Sequence, residues 1–309
     1  MTDILSGISQ EIISGIALGS IYALIALGFT MIYKATEVVN FAQGDLMMVG
    51  AYVNFFFVST LLSNSGEPSA WTFLVALVCS IIFSVLFGFF LDFIINRPLK
   101  DQPIFSVIMA TLSLAIIMRA LVAMIAGPIA LMPVSPFGDG SIIFGTIVIS
   151  ILDLFIIGSA IILVVIFYFI FHYTKWGIAM QATSEDPIAA QLMGIPIKKI
   201  YALVWIFSAL VATISGILLA PRIILLDTSM GFFGLKAFPA AVLGGFGSIP
   251  GAIVGGVILG VIETISLGTL SFHFEWIKEI NDIIAWFVLI AVLMIKPDGL
   301  FGVEKVKKV

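Results

Sequence analysis

Side chains able to do acid–base, nucleophilic or metal chemistry are scarce in this chain of 309 residues, of which only 10% are charged. The two histidines, His172 and His273, stand in no H-E-x-x-H or H-x-x-E-H pattern, which argues against a zinc hydrolase. No G-x-x-x-x-G-K-[ST] motif is present to cradle nucleotide phosphates, and the single cysteine, Cys79, excludes an internal disulfide. We therefore expect no catalytic residue, no metal site and no cofactor bound by this chain.

Two opposite charges interrupt consecutive apolar stretches. Arg119 lies about seven residues before the end of 104–126, and Asp153 lies about seven residues into 146–171. In consecutive antiparallel helices, both would lie roughly 10 Å from the same edge. We predict a structural Arg119–Asp153 ion pair, with the alternative that each side chain reaches water by itself. Glu263 is a third candidate for a buried charge.

Asn40, Gln43 and Asp45 form a polar island between apolar residues. On one continuous helix Asp45 would point away from the other two. We predict instead that the chain is irregular up to Gly44 and that Asp45 caps a helix over 46–62. Such a helix start, near the edge of the apolar stretch, would attract an anion such as a carboxylate. Capping alone is the alternative explanation of Asp45.

The composition predicts that these residues lie in a bundle of membrane helices. The chain is 61% hydrophobic, whereas soluble domains carry roughly 25% charged residues. The stretch 154–171 is apolar on all sides, unlike the alternating strands of a barrel. We predict an all-α, polytopic membrane helical bundle of about 7–8 spans, forming one transmembrane domain over 1–309. The candidate spans are 12–33, 45–62, 71–95, 104–126, 146–171, 200–221, 238–265 and 281–296.

Clusters of Lys and Arg set the expected orientation. They comprise Arg97 and Lys100; Lys175, Lys198 and Lys199; and Lys296, Lys305, Lys307 and Lys308. All three clusters belong in the cytoplasm by the positive-inside rule. Three candidate spans separate Lys199 from Lys296, and an odd number of crossings would place the basic tail 296–309 outside.

A break within 238–265 removes this conflict. The sequence GGFGSIPGA at 244–252 combines a proline with four glycines and is expected to end a helix. We predict a re-entrant hairpin near 237–266, with half-helices over about 237–246 and 251–266 and a turn near Gly247–Pro250. The N-terminus is then outside and the C-terminus inside. A single kinked helix is the alternative.

Small residues four positions apart predict close helix packing. Gly15 and Gly19 form one such pair, and Gly256 and Gly260 another; Gly247, Gly251 and Gly255 continue the pattern. The pattern predicts a dense bundle or a subunit interface and indicates nothing about a substrate.

The polar stretch 172–199 is predicted to be a cytoplasmic loop that contains a short helix. Glu185, Asp186 and Pro187 suit a helix start, since acidic residues favour the N-terminal dipole and proline fits the first turn. Gly194 and Pro196 are expected to end the helix after roughly two turns.

Several segments together resemble the branched-chain amino-acid ABC permeases, in particular the H-type member of the permease pair. The helix just described resembles the coupling helix of ABC importer permeases. The resemblance extends to GIALGSIYALIALGFTMIYKATEVVNFAQGDLMMVGAY at 15–52, NRPLK at 96–100, ATSEDPIAAQLMGI at 182–195 and LKAFPAAVLGGFGSIPGAIVGGVILGVIET at 235–264. Urea/amide and sugar permeases share parts of this pattern.

The resemblance implies an ABC importer permease fold in the inner membrane of a prokaryote. It implies a second, homologous permease subunit, two cytoplasmic ATPase subunits that carry ATP and Mg, and an external solute-binding protein that delivers leucine, isoleucine or valine. By position, the expected ATPase-coupling residues are Glu185, Asp186, Ala190, Met193 and Gly194. The expected pathway residues are Asn40, Gln43, Asp45, Gly244, Gly245, Gly247 and Gly251.

The expected function is import of a branched-chain or similar apolar amino acid by alternating access, driven by the partner ATPases. The chain itself is then a transport subunit and no enzyme, in contact with lipid and with its amino-acid substrate, and has no nucleic-acid partner. A permease for urea or amides, and a stand-alone channel or secondary carrier, are the alternatives. A membrane-embedded enzyme is less favoured because no nucleophile–base or metal arrangement is visible.

Overall fold

The computed structural model describes residues 2–65, 69–99, 102–127, 129–134, 140–145, 147–271 and 276–302. The predictions that concern Lys100, His273 and the tail beyond Gly302 lie outside these residues. The helices are α1 Thr2–Thr36, α2 Gln43–Ser65, α3 Ala70–Leu91, α4 Arg97–Leu99, α5 Ile104–Ala126, α6 Ile151–Tyr173, α7 Lys175–Glu185, α8 Pro187–Leu192, α9 Ile197–Ile223, α10 Gly231–Gly244, α11 Ile249–Ile265 and α12 Trp276–Ile295. Two π-helical turns, Asp92–Asn96 and Ser266–Leu270, extend α3 and α11.

The length and composition of these helices confirm a polytopic membrane bundle. Within the described residues, seven helical stretches are long and apolar enough to cross a membrane, and an eighth, Ile283–Ile295, is shorter. The seven are Gly7–Thr36, Gln43–Ser63, Ala70–Leu99, Ile104–Ala126, Ile151–Tyr173, Ile197–Ile223 and Ile249–Leu270. This agrees with the predicted 7–8 spans.

A short β-hairpin before α6 corrects one predicted boundary. Strand β1 (Ser141–Phe144) pairs antiparallel with β2 (Ile147–Ser150), with Ser141 opposite Ser150 and Phe144 opposite Ile147. The sequence analysis assigned residues from 146 onward to a helix, whereas α6 begins at Ile151. The residues Ile147, Val148 and Ile149 are as apolar as a membrane helix, so composition alone does not distinguish a helix from a strand here. Their β-branched side chains favour a strand where a partner strand is available.

The chain forms two compact units. The first comprises Met1–Thr30, Asp139–Ile161 and Leu235–Val309, and the second comprises Met31–Gly138 and Ile162–Gly234.

Helix α9 is the core of the second unit. About two thirds (67%) of the apolar 18-residue stretch of α9 is buried, against 22% of the corresponding stretch of α5. It packs against α2 and α3 at small residues, because a Cβ on Gly50 would overlap Thr213 and a Cβ on Gly88 would overlap the backbone of Ile206. Helices α2 and α9 run in the same direction, since Gln43 bonds to Ser208 and Gly216 packs on Met47 and Ala51.

Helices α10 and α11 form an antiparallel hairpin in the first unit. Gly244 and Gly251 meet backbone to backbone, Gly255 packs on Ala240, and Lys236 pairs with Glu263. The predicted turn and antiparallel legs are therefore confirmed, and a single kinked helix does not describe these residues; the re-entrant course through the membrane stays a prediction. The connecting turn holds Gly245 at φ +104° and Gly247 at φ +91°, a backbone conformation that glycine adopts without strain.

The second leg of this hairpin is longer than expected. The continuous stretch Ile249–Leu270 has 22 residues, or about 33 Å, which suffices to cross the hydrocarbon core. The turn packs on the segment after α12, where the N–H groups of Leu300 and Phe301 donate to Leu243 and Gly244 at 2.8 and 2.9 Å. The hairpin tip thus lies at the end of α12 that leads to Lys296.

The small-residue pattern of α1 matches that of α11. A Cβ on Gly15 would overlap the backbone of Val261, and a Cβ on Gly19 would overlap that of Val257. On α11, a Cβ on Gly256 would overlap Ala23, and a Cβ on Gly260 would overlap the backbone of Gly19. The predicted packing role of these glycines is confirmed, and it holds α1 and α11 antiparallel.

Candidate functional site

A buried ion pair lies at the first turn of α2 in the second unit. Arg119 donates from Nη2 and Nε to Oδ1 of Asp45, at 3.0 and 3.1 Å. The Asp45 side chain is 4% exposed and that of Arg119 is 29% exposed. The Arg119 guanidinium also lies 4.3 Å from the ring centroid of Phe232, in a cation–π contact.

This pair corrects two predictions. Arg119 was expected to pair with Asp153, but the structure pairs it with Asp45. Asp45 was expected to cap a helix that starts after it, but α2 already begins at Gln43 and the Asp45 carboxylate is used by Arg119. Asn40 instead forms a turn just before α2, in which its Oδ1 accepts the N–H of Ala42 at 3.1 Å.

Helix α2 begins deep in its unit and not at the edge of the apolar stretch. Gln43 exchanges two hydrogen bonds with Ser208, donating to its carbonyl at 3.3 Å and accepting from its hydroxyl at 2.8 Å. Ser208 lies roughly 16 Å along α9 from its first residue, at 1.5 Å per residue. In the irregular segment before Gln43, Asn40 and Ala42 are buried, and burial in protein is the setting in which membrane proteins tolerate non-helical backbone.

The start of α10 meets the start of α2 at the same place. A Cβ on Gly44 would overlap the carbonyl of Gly231 and the backbone of Gly234. A Cβ on Gly231 would in turn crowd the Asp45 carboxylate and the Arg119 guanidinium. Two helix starts, one carboxylate and one guanidinium thus converge inside one unit. Helix starts within the bundle are typical of transporter binding sites.

A cavity in the second unit lies next to Asn40, and we call it the Asn40 cavity. Its volume is about 180 Å³, and its polar lining consists of Thr36, Glu37, Asn40, Asn96, Gln102, Thr111, Tyr201 and Trp205. Asn40 and Trp205 are 1% and 3% exposed. Asn40 Nδ2 and Trp205 Nε1 find no hydrogen-bond partner among the described residues. The sequence analysis did not select Trp205, because a tryptophan in an apolar run looks like ordinary core.

Of the predicted pathway residues, Asn40, Gln43 and Asp45 belong to the second unit. Gly244, Gly245, Gly247 and Gly251 lie in the first unit at the hairpin turn. The backbones of Gly244 and Gly251 contact each other, and the backbone of Gly245 contacts that of Gly302. Gly244, Gly245 and Gly251 thus serve close backbone packing, whereas a Cβ on Gly247 would meet no atom within 4 Å, so the packing role predicted for Gly247 is wrong and its glycine serves the turn. Nothing in these contacts assigns the glycines a substrate.

Glu263 lies at the centre of a polar cluster in the first unit. It is 4% exposed. The Tyr22 hydroxyl donates to Oε2 at 2.7 Å, Lys236 lies 3.3 Å from Oε1, and the Asn281 amide donates to Oε1 at 3.4 Å. The sequence analysis selected Glu263 as a buried charge but missed these partners, which come from three other helices.

The stretch 172–199 contains the expected short helix, α8. The Asp186 carboxylate accepts the N–H groups of Ile188 and Ala189, both at 2.9 Å, and Pro187 occupies the first turn. Gly194 at φ +86° ends the helix, with Ile195 N–H donating to the Ala190 carbonyl at 3.0 Å. Helix α7, Lys175–Glu185, precedes it and was not predicted.

The exposed side of α8 is apolar. Ile188, Leu192 and Met193 are 73%, 84% and 84% exposed, whereas Ala190 is 4% exposed. Glu185, Asp186, Met193 and Gly194 are all on the exposed side of this segment, and Ala190 packs inward.

Comparison with known proteins gives the family. The family model of the permease component of branched-chain amino acid transport systems matches residues 11–293. The chain belongs to this family. Among its relatives are the high-affinity branched-chain amino acid transport system permease proteins LivH of Salmonella typhimurium and of Escherichia coli K12, each 32% identical over 97% of both chains. BraD of Pseudomonas aeruginosa is 31% identical over 97% of both chains.

A more distant relative is a sugar permease. The fructose import permease protein FruG of Bifidobacterium longum is 26% identical over 71% of this chain and 66% of its own. No solved structure matches the chain at a significant level. The family and the apolar helices identify this permease as a multi-pass protein of the inner membrane and as a transport subunit of an ABC importer.

Proposed function

We propose that this permease carries leucine, isoleucine, valine or a similar apolar amino acid into the cell. The observation that supports it most strongly is the similarity to permeases named for branched-chain amino acids over 97% of the chain. The fructose permease is similar over a smaller share, 71%. A path with mainly apolar walls and a few polar groups suits a substrate with an apolar side chain and a zwitterionic backbone.

The proposed coupling element is α8. Its apolar residues Ile188, Leu192 and Met193 are exposed, and an exposed apolar patch on a cytoplasmic segment is typical of a protein contact. Glu185 and Gly194 flank the patch. Asp186 holds the helix start through its two hydrogen bonds, and Ala190 is buried at 4% exposure. We propose that both act by shaping the docking surface.

The full importer in this proposal contains a second, homologous permease subunit, two ATPase subunits that bind ATP and Mg, and an external solute-binding protein. Its permease N-terminus is outside and its C-terminus inside. ATP binding closes the ATPases, draws the coupling helices of the two permeases together and rocks the permease subunits between outward and inward access. The chain contributes the translocation path and the coupling helix α8, and the ATPases contribute the energy of ATP hydrolysis.

Uptake by the reconstituted importer tests the substrate class. The permease is co-purified with the products of its neighbouring genes, and radiolabelled leucine uptake into proteoliposomes is measured against unlabelled competitors. We expect leucine, isoleucine and valine to compete, and urea, acetamide and fructose to leave uptake unchanged. Uptake that only urea, amides or sugars inhibit would contradict the proposal. Uptake by the permease alone, without ATPases, would favour the alternative of a channel or secondary carrier.

A further inference from the structure

Arg119 presents one edge of its guanidinium group to the accessible surface of the second unit. Nε and Nη2 donate to Asp45, and Nη1 makes no hydrogen bond within the described residues. The Arg119 side chain is 29% exposed, and Nη1 is not one of the enclosed polar atoms that lack a partner. A ligand can therefore reach Nη1, whereas the unpaired donors of Asn40 and Trp205 are enclosed.

The position of Arg119 along α5 indicates what this edge faces. Arg119 lies roughly 10 Å from the end of a helix that is long and apolar enough to cross the membrane. A charged side chain at such a depth is costly in lipid, and it almost always faces the interior of a bundle or a water-filled cavity. Asp45 balances the charge of Arg119 but leaves the N–H groups of Nη1 without an acceptor in the described part of the chain. We therefore expect Nη1 to face a wet path through the importer and not lipid.

The surroundings of Nη1 suit a carboxylate that carries an apolar group. Guanidinium N–H groups form strong, charge-assisted hydrogen bonds to carboxylates. Phe232, in cation–π contact with the guanidinium, is 51% exposed, and Ile116, three positions before Arg119 on the same face of α5, is 68% exposed. The Asp45–Arg119 pair has no net charge, so a zwitterionic amino acid can bind without leaving an unbalanced charge in the bundle, whereas a simple anion would leave one.

We propose that Arg119 binds the transported amino acid, with the substrate carboxylate accepting from Nη1 and the apolar side chain lying against Phe232 and Ile116. Asp45 is then a positioning residue, because its bonds to Nε and Nη2 hold the guanidinium group with Nη1 at the accessible surface. This assignment rests on the proposed function, which it deepens by naming a substrate contact in the permease itself. It also gives Arg119 a role beyond the structural ion pair.

Labelling of an introduced cysteine tests whether this face is wet and whether leucine covers it. Ile116→Cys is made in a Cys79→Ser background, since Cys79 is the only cysteine of the chain. The assembled importer in nanodiscs, without the solute-binding protein, is treated with a charged methanethiosulfonate reagent, which reacts with the thiolate form of a cysteine in water. We expect the permease carrying Ile116→Cys to be labelled and leucine to slow the labelling. Ile117→Cys is the control, because Ile117 is 54% exposed but lies two positions from Arg119 and so points away from it; leucine should not slow its labelling.

The leucine concentration that halves the labelling rate then measures the contribution of Arg119. Arg119→Lys keeps a cation beside Asp45 but replaces the guanidinium fork by a single ammonium group. It should raise the half-protecting leucine concentration roughly 10- to 100-fold, the effect of a lost hydrogen bond to a charged group. L-leucinol, which lacks the carboxylate, should protect at a similar concentration with Arg119 and with Arg119→Lys. Arg97→Lys alters the other Asp–Arg pair and should leave protection by leucine unchanged.

The outcomes separate this inference from the proposed function. In an importer that takes up leucine, an unreactive Ile116→Cys would overturn the inference and assign this face to lipid or to the second permease subunit. Labelling that leucine does not slow, or equal protection by leucine with Arg119 and with Arg119→Lys, would also overturn it and assign Nη1 to water. Equal weakening of leucine and leucinol by Arg119→Lys would indicate a purely structural role. Failure of wild type to take up any branched-chain amino acid would instead refute the proposed function.

Discussion

Replacing one partner of the Asp45–Arg119 ion pair should lower the free energy of unfolding more than replacing both partners. Asp45 is 4% exposed and Arg119 is 29% exposed, so an orphaned Asp45 has less access to water than an orphaned Arg119. Loss of one partner from a buried ion pair costs about 3–5 kcal/mol, whereas replacing both partners by apolar groups is often close to neutral. We therefore expect Arg119→Leu to destabilise the permease by about 3–5 kcal/mol and Asp45→Leu by less.

The double variant supplies the decisive comparison. Asp45→Leu combined with Arg119→Leu should be more stable than Arg119→Leu alone, with a coupling energy of about 1–3 kcal/mol. The assay is equilibrium unfolding in mixed detergent micelles, followed by tryptophan fluorescence. Effects of the two single changes that add in the double variant would refute the reasoning, because additive effects mean that the two side chains do not interact.

A second Asp–Arg pair of the same length offers a control. Arg97 Nε lies 3.0 Å from Asp92 Oδ2, but Asp92 also accepts from Asn96 at 2.8 Å, and Arg97 is 40% exposed. Arg97→Leu therefore leaves the Asp92 carboxylate with a partner and should cost clearly less than Arg119→Leu. Equal costs for the two arginine variants would indicate that lost side-chain packing, and not the orphaned carboxylate, sets the magnitude.

Three further changes follow from single contacts. Tyr22→Phe removes the hydroxyl that donates to Glu263 at 2.7 Å and should lower the free energy of unfolding by about 1.5–3 kcal/mol, measured in the same micelle assay; an unchanged free energy would contradict that hydrogen bond. Gly44→Val puts a side chain into the backbone of Gly231 and should abolish leucine uptake in proteoliposomes, whereas Gly7→Val, where the structure leaves open space, should not. Asp186→Ala removes the cap of α8, which destabilises the helix by about 1 kcal/mol and should weaken co-purification of the ATPases. Asp186→Asn, which keeps a capping oxygen, should largely restore co-purification. Recovery of the ATPases with Asp186→Ala equal to that with wild type would argue against α8 as the coupling element.

The predictable features were those whose signals are local in sequence. The start and end of α8 followed from Asp186, Pro187 and Gly194, because a cap, a first-turn proline and a left-handed glycine act within a few residues. The α10–α11 hairpin followed from the glycines and proline of 244–252 for the same reason. Composition and span length sufficed for the membrane bundle, since lipid imposes one hydrophobic length on every crossing.

The unpredicted features depend on contacts distant in sequence. Arg119 and Asp45 are 74 positions apart, and the assumption that consecutive spans pair their charges led to Asp153 instead. The depth of the α2 start depends on its register with α9, which the Gln43–Ser208 bonds reveal and apolar periodicity does not. The partners of Glu263 come from α1, α10 and α12, and no local pattern links Tyr22, Lys236 and Asn281 to one carboxylate.

The most direct test of the account is the ATP dependence of leucine uptake by the complete importer in proteoliposomes, compared between wild type and Leu192→Asp. Leu192 is 84% exposed on α8, so a charge there should leave the permease folded and disrupt only an apolar docking surface. We predict uptake that requires hydrolysable ATP in wild type and falls at least tenfold in Leu192→Asp, with the variant permease still monodisperse. Leucine uptake that proceeds without ATP, or at the wild-type rate in Leu192→Asp, would contradict the account of a permease driven through α8.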